Sequence, residues 1–454
     1  MTAVGRTAAL LAVVIVVASA GVGLVGADVT DEAAVAGGTS PPQYGDVGQL
    51  FGGVTAGAVP GSSVHAPIDR ARVERAPPKS VGTDADTDRV RVGVIGSAFG
   101  DAADIDGRVV ARERVTSSRF GLKVGDNDAG SHDAAVASVV AQRAPESSLY
   151  LASVGHEPTP EEYARAVDWL VERDVDVIVD AGSYYPRTVD GMDRIAGAAE
   201  RAADAGTVFV TSGGNTGQRH WRGAATDPGW LAFGDNGTQG NRLGEERISG
   251  SVTLRVYWTG AGDYDLYLYR DVADGPDEVV AKSTRESGRA EAIDAVLPRG
   301  SYYVAVDVRD PGDGHVDLFA ARHRLAHAAD NGSAVAPATA EGVISVGAVG
   351  PDGRLAAYSP STTDVRAAGT VGLPDGTTLE GTSAAAPAVA GVVAEMSAAA
   401  GEDGLTPAEV ERLLRETAVD GRIDRGSAVA AASVGNRTGD DASADDGSWA
   451  YRGP

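Results

Sequence analysis

The sequence contains no cysteine, only three lysines and few aromatic residues. In 454 residues there is no Cys, and Phe, Trp and Tyr together make up 5% of the chain. The absence of cysteine excludes disulfide bonds, thiol catalysis and metal sites built on thiolates, but it leaves the compartment open. The length and a hydrophobic content of 43% predict more than one globular domain.

Positive charge is scarce and comes almost entirely from arginine. Acidic residues outnumber basic residues by 64 to 39, which gives a net charge of −25. This balance disfavours nucleic acids and anionic membrane surfaces as partners. We interpret the composition as adaptation to a high-salt medium, where screening weakens self-repulsion; an acidic extracellular protein of ordinary media is the alternative.

The first 27 residues have the pattern of an export signal. One Arg precedes an uncharged apolar run that begins at Ala8, and small residues lead up to Ala27. We therefore expect cleavage near Ala27 and a secreted or cell-surface protein. An uncleaved membrane anchor is the alternative, because the apolar run is about long enough to span a bilayer; otherwise no membrane association is expected.

Apolar runs alternate with helical patterns between residues 88 and 234. The segments "RVRVGVIG", "SSLYLASV", "VDVIVDAG" and "TVFVTSGG" predict buried strands. Between two of them, Tyr163, Ala166 and Leu170 lie at steps of three and four on one helical face. The pattern predicts an α/β fold with a doubly wound parallel sheet, and places functional residues at the carboxyl ends of its strands.

A different pattern interrupts this α/β region. From residue 235 to 325, short runs with period-two alternation are separated by Gly, Asp and Pro turns, which predicts an inserted antiparallel β-sandwich. The predicted organisation is a signal peptide (1–27), a low-complexity extension (28–87), the first α/β part (88–234), the insert (235–325), the second α/β part (326–433) and a disordered tail (434–454).

Ser383 lies in "LEGTSAAAPAVAGVVAEM", between small residues and just before a predicted buried helix. Small neighbours let the backbone turn sharply into the helix and leave the hydroxyl exposed at its N-terminus, as a nucleophile requires. The alternative is an ordinary helix start in which Thr382 or Ser383 is only a cap.

Two further residues occur in matching contexts. His132, in "GSHDAAVASVV", begins a predicted helix after a loop and is a candidate general base. Asn215, in "TSGGNTG" at the end of a predicted strand, is a candidate amide donor to an oxyanion. Taken singly, a solvated histidine and a turn asparagine are the alternatives; their joint occurrence with Ser383 favours catalysis.

Together these motifs resemble the subtilisin-like serine peptidase family. "GTSAAAPAVAG" is similar to its nucleophile motif, "GGN" to its oxyanion asparagine, and "HDAAVAS" to its histidine motif without the usual Gly after His. The resemblance spans roughly residues 88 to 420. It implies peptide-bond hydrolysis by Ser383, His132 and Asn215, and it identifies the insert with small pre-peptidase C-terminal-like β domains.

The first strand departs from the family pattern. The resemblance implies a catalytic Asp directly after the apolar run, but this chain has Gly96 there. That carboxylate normally holds the histidine in the right tautomer and stabilises its cation. Activity is therefore expected to be weak.

Four aspartates are candidates to replace the missing carboxylate. Asp101 and Asp104 follow the first strand, and Asp180 ends a strand expected beside it. Asp133 is next to His132, and successive side chains on a helix are expected to point in different directions. Each of the four is otherwise interpreted as a surface charge.

The sequence thus predicts an exported serine endopeptidase with a protein or peptide substrate, expected to act as a monomer. The alternative is an inactive pseudo-peptidase that serves as an extracellular peptide- or surface-binding module. No metal ligands or other cofactor residues are assignable, although the resemblance implies that calcium binding is common in the family. Whether residues 28–87 act as a propeptide stays open.

Overall fold

A computed structural model describes residues 89–100, 104–115, 127–329, 331–401 and 404–442. The predicted signal peptide and low-complexity extension lie outside the described residues, as do Asp101 and the last twelve residues of the predicted tail.

Seven parallel strands form the first sheet, in the order β14-β13-β5-β4-β1-β3-β2. Their bounds are β1 Arg91–Gly96, β2 Val109–Arg114, β3 Ser148–Ser153, β4 Val177–Asp180, β5 Val208–Ser212, β13 Ile344–Val349 and β14 Val365–Ala368. A separate pair, β15 Thr370–Gly372 and β16 Thr378–Glu380, is antiparallel.

Helices cover both faces of this sheet. They are α1 Asn127–Arg143, α2 Pro160–Val171, α3 Val189–Asp204, α4 Thr382–Ala400, α5 Pro407–Thr417 and α6 Arg425–Ala442. Alternate residues of β4 point to opposite faces: Val177 and Val179 pack into the core under α1 and α4, whereas Ile178 packs under α2 and α3. The predicted doubly wound α/β fold is confirmed.

The central helix α4 is apolar on every side. It is long and apolar enough to cross a membrane, but 78% of that apolar window is buried inside the fold. A helix buried all round needs no polar face. Most of its first-turn residues are therefore inaccessible, and Ser383 is the exception described below.

An antiparallel sheet lies between β5 and β13 in the chain. Its strands are β6 His220–Gly223, β7 Gly229–Trp230, β8 Asn241–Trp258, β9 Asp263–Arg270, β10 Glu278–Ser283, β11 Ala290–Asp310 and β12 Val316–Ala320. Bulges interrupt the pairing of the two long strands β8 and β11, and the inward apolar side chains form one core.

Two elements extend past the predicted boundaries. Strands β6 and β7 join the antiparallel sheet before residue 235, because β6 pairs with β12 and β7 with β11. Helix α6 continues past residue 434 to Ala442, into the predicted tail. Its run of alanines favours a helix, which outweighs the Gly and Asp residues that predicted disorder. The division into domains stays a prediction.

Candidate active site

The carboxyl ends of β1, β4 and β5 meet at one edge of the parallel sheet. Ile95 pairs with Asp180, so the chain segments that continue to Gly96 and Ala181 run side by side. Asn215 follows β5, the other neighbour of β4. Ser383 on α4 reaches this edge through its hydrogen bond to Ala181, and His132 on α1 reaches it through Asp133, which bonds to the loop after β1.

Ser383 is the second residue of α4 and is partly exposed among buried neighbours. The helix begins after Gly381, whose φ of 95° favours glycine, and a Cβ there would lie 2.7 Å from the Asn215 Nδ2. Glycine is therefore required both by the turn and by the closeness of Asn215. The Ser383 hydroxyl donates to the Ala181 carbonyl at 3.1 Å.

Asn215 is held by its side-chain oxygen. The Thr382 backbone N–H and hydroxyl both donate to its Oδ1, at 3.0 and 3.1 Å. Because the Thr382 N–H can donate to an oxygen but not to an NH2 group, this contact identifies the accepting atom of the Asn215 amide as Oδ1 and the other as Nδ2. Behind it, the Gly214 N–H donates to the Ser212 hydroxyl, which lies 2.9 Å from the Thr382 hydroxyl. In the described part of the chain, Nδ2 makes no hydrogen bond and lies beside Gly381.

The imidazole of His132 is held by the side chain of the next residue. Its Nδ1 lies 2.9 Å from the Asp133 Oδ1, and 39% of the His132 side chain is exposed. The expectation that Asp133 points away is therefore wrong. Nδ1 is the ring nitrogen nearer the backbone, so a carboxylate one residue along the helix reaches it when its other oxygen is anchored on the same side.

That anchor is the loop after β1. The Ser97 hydroxyl and the Ala98 N–H donate to the Asp133 Oδ2 at 2.8 and 3.0 Å, and Asp133 is only 7% exposed. Since an ionised carboxylate only accepts hydrogen bonds, Nδ1 of His132 carries the proton and the neutral ring has its lone pair on Nε2. No hydrogen bond joins His132 to Ser383 among the described side chains.

Two of the other candidate carboxylates, Asp104 and Asp180, have different partners. Asp104 accepts a hydrogen bond from Ser138 on α1. Asp180 is fully buried and accepts from the Gly182 N–H at 2.7 Å, from Tyr163 at 2.8 Å and from Tyr184 at 3.3 Å. Neither contacts His132, so both are excluded as its partner within the described structure.

Burial makes Asp180 a weak acid and the fold sensitive to pH. It raises the pKa of Asp180 from 3.8 to about 6, with the nearby charge of Asp133 adding to the rise and the hydrogen bonds from Gly182, Tyr163 and Tyr184 opposing it. The folded state thus binds a proton more tightly than the unfolded chain. Stability from this group is full below pH 4 and is lost as the pH rises through 6.

We therefore expect Asp180→Asn to remove this pH dependence. Between pH 4 and 7, the free energy of unfolding of the parent should fall relative to the variant by about 2 kcal/mol, because the amide does not ionise. Urea unfolding of both proteins at the two pH values, at constant salt, measures the difference. Parallel pH profiles for the two proteins would contradict the expected shift.

The described residues contain no group of three or more His, Asp or Glu side chains that could hold a metal ion. No calcium ligands are therefore assigned among these residues. Calcium binding stays a prediction from the resemblance.

Comparisons with known proteins agree with this architecture. Residues 316–444 match the model of the subtilase family, a segment that contains Ser383 and leaves His132 and Asn215 outside it. No curated protein sequence matches the chain.

Solved structures share the fold at low identity. The CspB protease of Clostridium perfringens is 15% identical with a TM-score of 0.54, covering 76% of this chain and 95% of that one. The nisin leader peptidase NisP from Lactococcus lactis is 14% identical with a TM-score of 0.42, covering 76% and 88%. Because the second score is below 0.5, the fold comparison depends on the first. The subtilisin-like resemblance indicated by the motifs is thus confirmed, whereas the likeness of the insert to pre-peptidase C-terminal-like domains stays a prediction: the chain has a subtilisin-like α/β fold, and its residues 316–444 match the subtilase family.

Proposed function

We propose that the protein is an exported serine endopeptidase that hydrolyses peptide bonds through an acyl-enzyme on Ser383. The observation that carries the proposal is the fixed orientation of Asn215. Thr382, the residue before Ser383, holds the Asn215 oxygen and thereby leaves the amide Nδ2 next to the nucleophile's turn. A turn asparagine has no need of this arrangement, whereas an oxyanion donor requires it.

In the first half of the reaction, the Ser383 Oγ attacks the carbonyl carbon of the substrate and passes its proton to the His132 Nε2. The carbonyl oxygen becomes an oxyanion, which accepts hydrogen bonds from the Asn215 Nδ2 and from the Ser383 N–H. That N–H lies in the first turn of α4 and has no acceptor within the described part of the chain. The carbon–nitrogen bond then breaks, and the leaving amine takes the proton from Nε2.

Deacylation repeats these steps with water. His132 removes a proton from a water molecule, the resulting hydroxide attacks the acyl carbon, and the same two donors stabilise the second oxyanion. Collapse releases the carboxylic acid product and returns the proton to the Ser383 Oγ. One water is consumed for each peptide bond cleaved.

Substrate binding and activation of Ser383 are coupled through Ala181. The Ser383 hydroxyl donates to the Ala181 carbonyl, so it must rotate about its Cα–Cβ bond to reach His132. The same rotation frees the Ala181 carbonyl, which directly follows β4 and can accept from an extended peptide N–H. A bound peptide backbone therefore favours the reactive rotamer of Ser383.

The location and working medium are part of this proposal. The apolar run up to Ala27 supports export, and the net charge of −25 supports a high-salt medium. An acidic surface of this size is less self-repulsive where counterions are abundant.

A serine-directed fluorophosphonate probe tests the function. We expect the folded protein, in molar salt, to be labelled at Ser383, and Ser383→Ala to remain unlabelled. Ser361→Ala is the matched control, because Ser361 is partly exposed and makes no contact with Ser383, His132 or Asn215 among the described hydrogen bonds. If Ser383 is not labelled in protein that is demonstrably folded, the enzyme proposal fails and the alternative is a peptide-binding module.

A further inference from the structure

The space beside Gly96 is filled by another residue. A Cβ built on Gly96 would lie 2.7 Å from the Asp133 Cγ, 2.8 Å from its Cβ and 2.9 Å from its Oδ2. Gly96 does not have a positive φ, so its backbone accepts other residues. Glycine is therefore required at position 96 by the presence of the Asp133 side chain and not by the conformation of the chain.

Asp133 has the properties that a histidine-positioning carboxylate needs. It is almost completely buried, one oxygen contacts the His132 Nδ1, and two donors from the loop after β1 fix the other. A buried carboxylate whose hydrogen bonds are all formed in one rotamer holds its partner more rigidly than a carboxylate exposed to water does.

We propose that Asp133 is the positioning residue for His132, and that Gly96 and Asp133 have exchanged the places of acid and glycine. The resemblance implies an Asp after the first strand and a Gly after the histidine, and this chain has the reverse at both positions. The carboxylate thus reaches the imidazole from α1 instead of from β1. The inference rests on the proposed peptidase function and assigns the acid that the first strand lacks.

This assignment predicts the effect of Gly96→Asp. With Asp133 in place, the new side chain would meet the Asp133 carboxylate at less than contact distance and bring a second negative charge beside it. The single variant is therefore expected to lose activity or stability instead of gaining activity.

Four variants test the exchange by peptide hydrolysis. We expect Asp133→Asn to lower kcat about ten-thousand-fold with little change in KM, as loss of tautomer control does in triad enzymes. Asp133→Gly should be as impaired, and Gly96→Asp should be impaired by crowding. The double variant Gly96→Asp, Asp133→Gly should recover at least about a hundredfold over Asp133→Gly, since the acid then comes from β1. Asp104→Asn is the matched control and should retain the parent's kcat. Asp104 is another carboxylate that contacts α1, through Ser138, and it does not contact His132.

A spectroscopic measurement makes the result independent of turnover. At a pH where the His132 ring is neutral, nitrogen-15 NMR should show the proton on Nδ1 in the parent protein. In folded Asp133→Asn, the same measurement should show a mixture of the two tautomers. Unchanged kcat and an unchanged tautomer in Asp133→Asn would overturn the role of Asp133 while leaving the peptidase proposal intact. A parent that shows the Nδ1 tautomer but is not labelled at Ser383 would instead support the positioning role and overturn the peptidase function.

Discussion

Replacing His132 with Ala is expected to reduce kcat for peptide hydrolysis by about a million-fold, the magnitude known for loss of the histidine in subtilisin itself. Without the imidazole, the Ser383 hydroxyl loses the proposed acceptor of its proton as the new bond forms. The residual rate should come from the oxyanion donors and from substrate positioning. The measurement is kcat and KM with a chromogenic peptide, alongside fluorophosphonate labelling, which should fall in parallel.

The loss should not reflect unfolding, because His132 is partly exposed and, among the described residues, its hydrogen-bond partner is Asp133 alone. His156→Ala is a suitable control, since His156 is an exposed histidine on the loop after β3. Full activity in a folded His132→Ala variant would show that another group acts as the base.

The second large effect is expected at Asn215. Asn215→Ala should lower kcat by about 100-fold to 1000-fold with little change in KM, because its Nδ2 hydrogen bond forms only in the transition state. A purely structural role makes a different prediction for Asn215→Asp, since the aspartate keeps an oxygen to accept from Thr382.

Comparison of the two variants separates these roles. If Asn215 donates to the oxyanion, Asn215→Asp should be at least as inactive as Asn215→Ala, because it places a negative oxygen where the donor was. If Asn215 only secures the turn, Asn215→Asp should retain most of the activity. Thermal unfolding of both variants in the same salt monitors whether the turn itself is preserved.

The sequence predicts most of this site because most of it is local. Ser383 lies in the first turn of α4 and Asn215 lies three residues after β5, so a short motif at each place specifies both the turn and the partly exposed side chain. The alternating apolar runs likewise predict the parallel sheet, since each strand must be buried on both faces.

The direction of Asp133 could not be predicted in this way. Helical geometry alone separates successive side chains, whereas the observed rotamer depends on Ser97 and Ala98, about 35 residues earlier in the chain. The hydrogen bonds that turn the carboxylate exist only once α1 has packed beside the end of β1. For the same reason, the pairing of β6 with β12 requires contacts between distant segments, and no local pattern marks it.

The closeness of Gly96 to Asp133 also constrains how such a site can arise by single substitutions. A chain with glycine at both positions 96 and 133 lacks the carboxylate that contacts the His132 ring. A chain with aspartate at both positions has the Cβ of residue 96 only 2.7 Å from the Asp133 Cγ. If Asp133 positions His132 as proposed, either intermediate is expected to be impaired, and the effects of substitutions at the two positions are expected to be non-additive. A motif that demands the acid on the first strand would classify this chain as inactive, although its carboxylate is present one residue after the histidine.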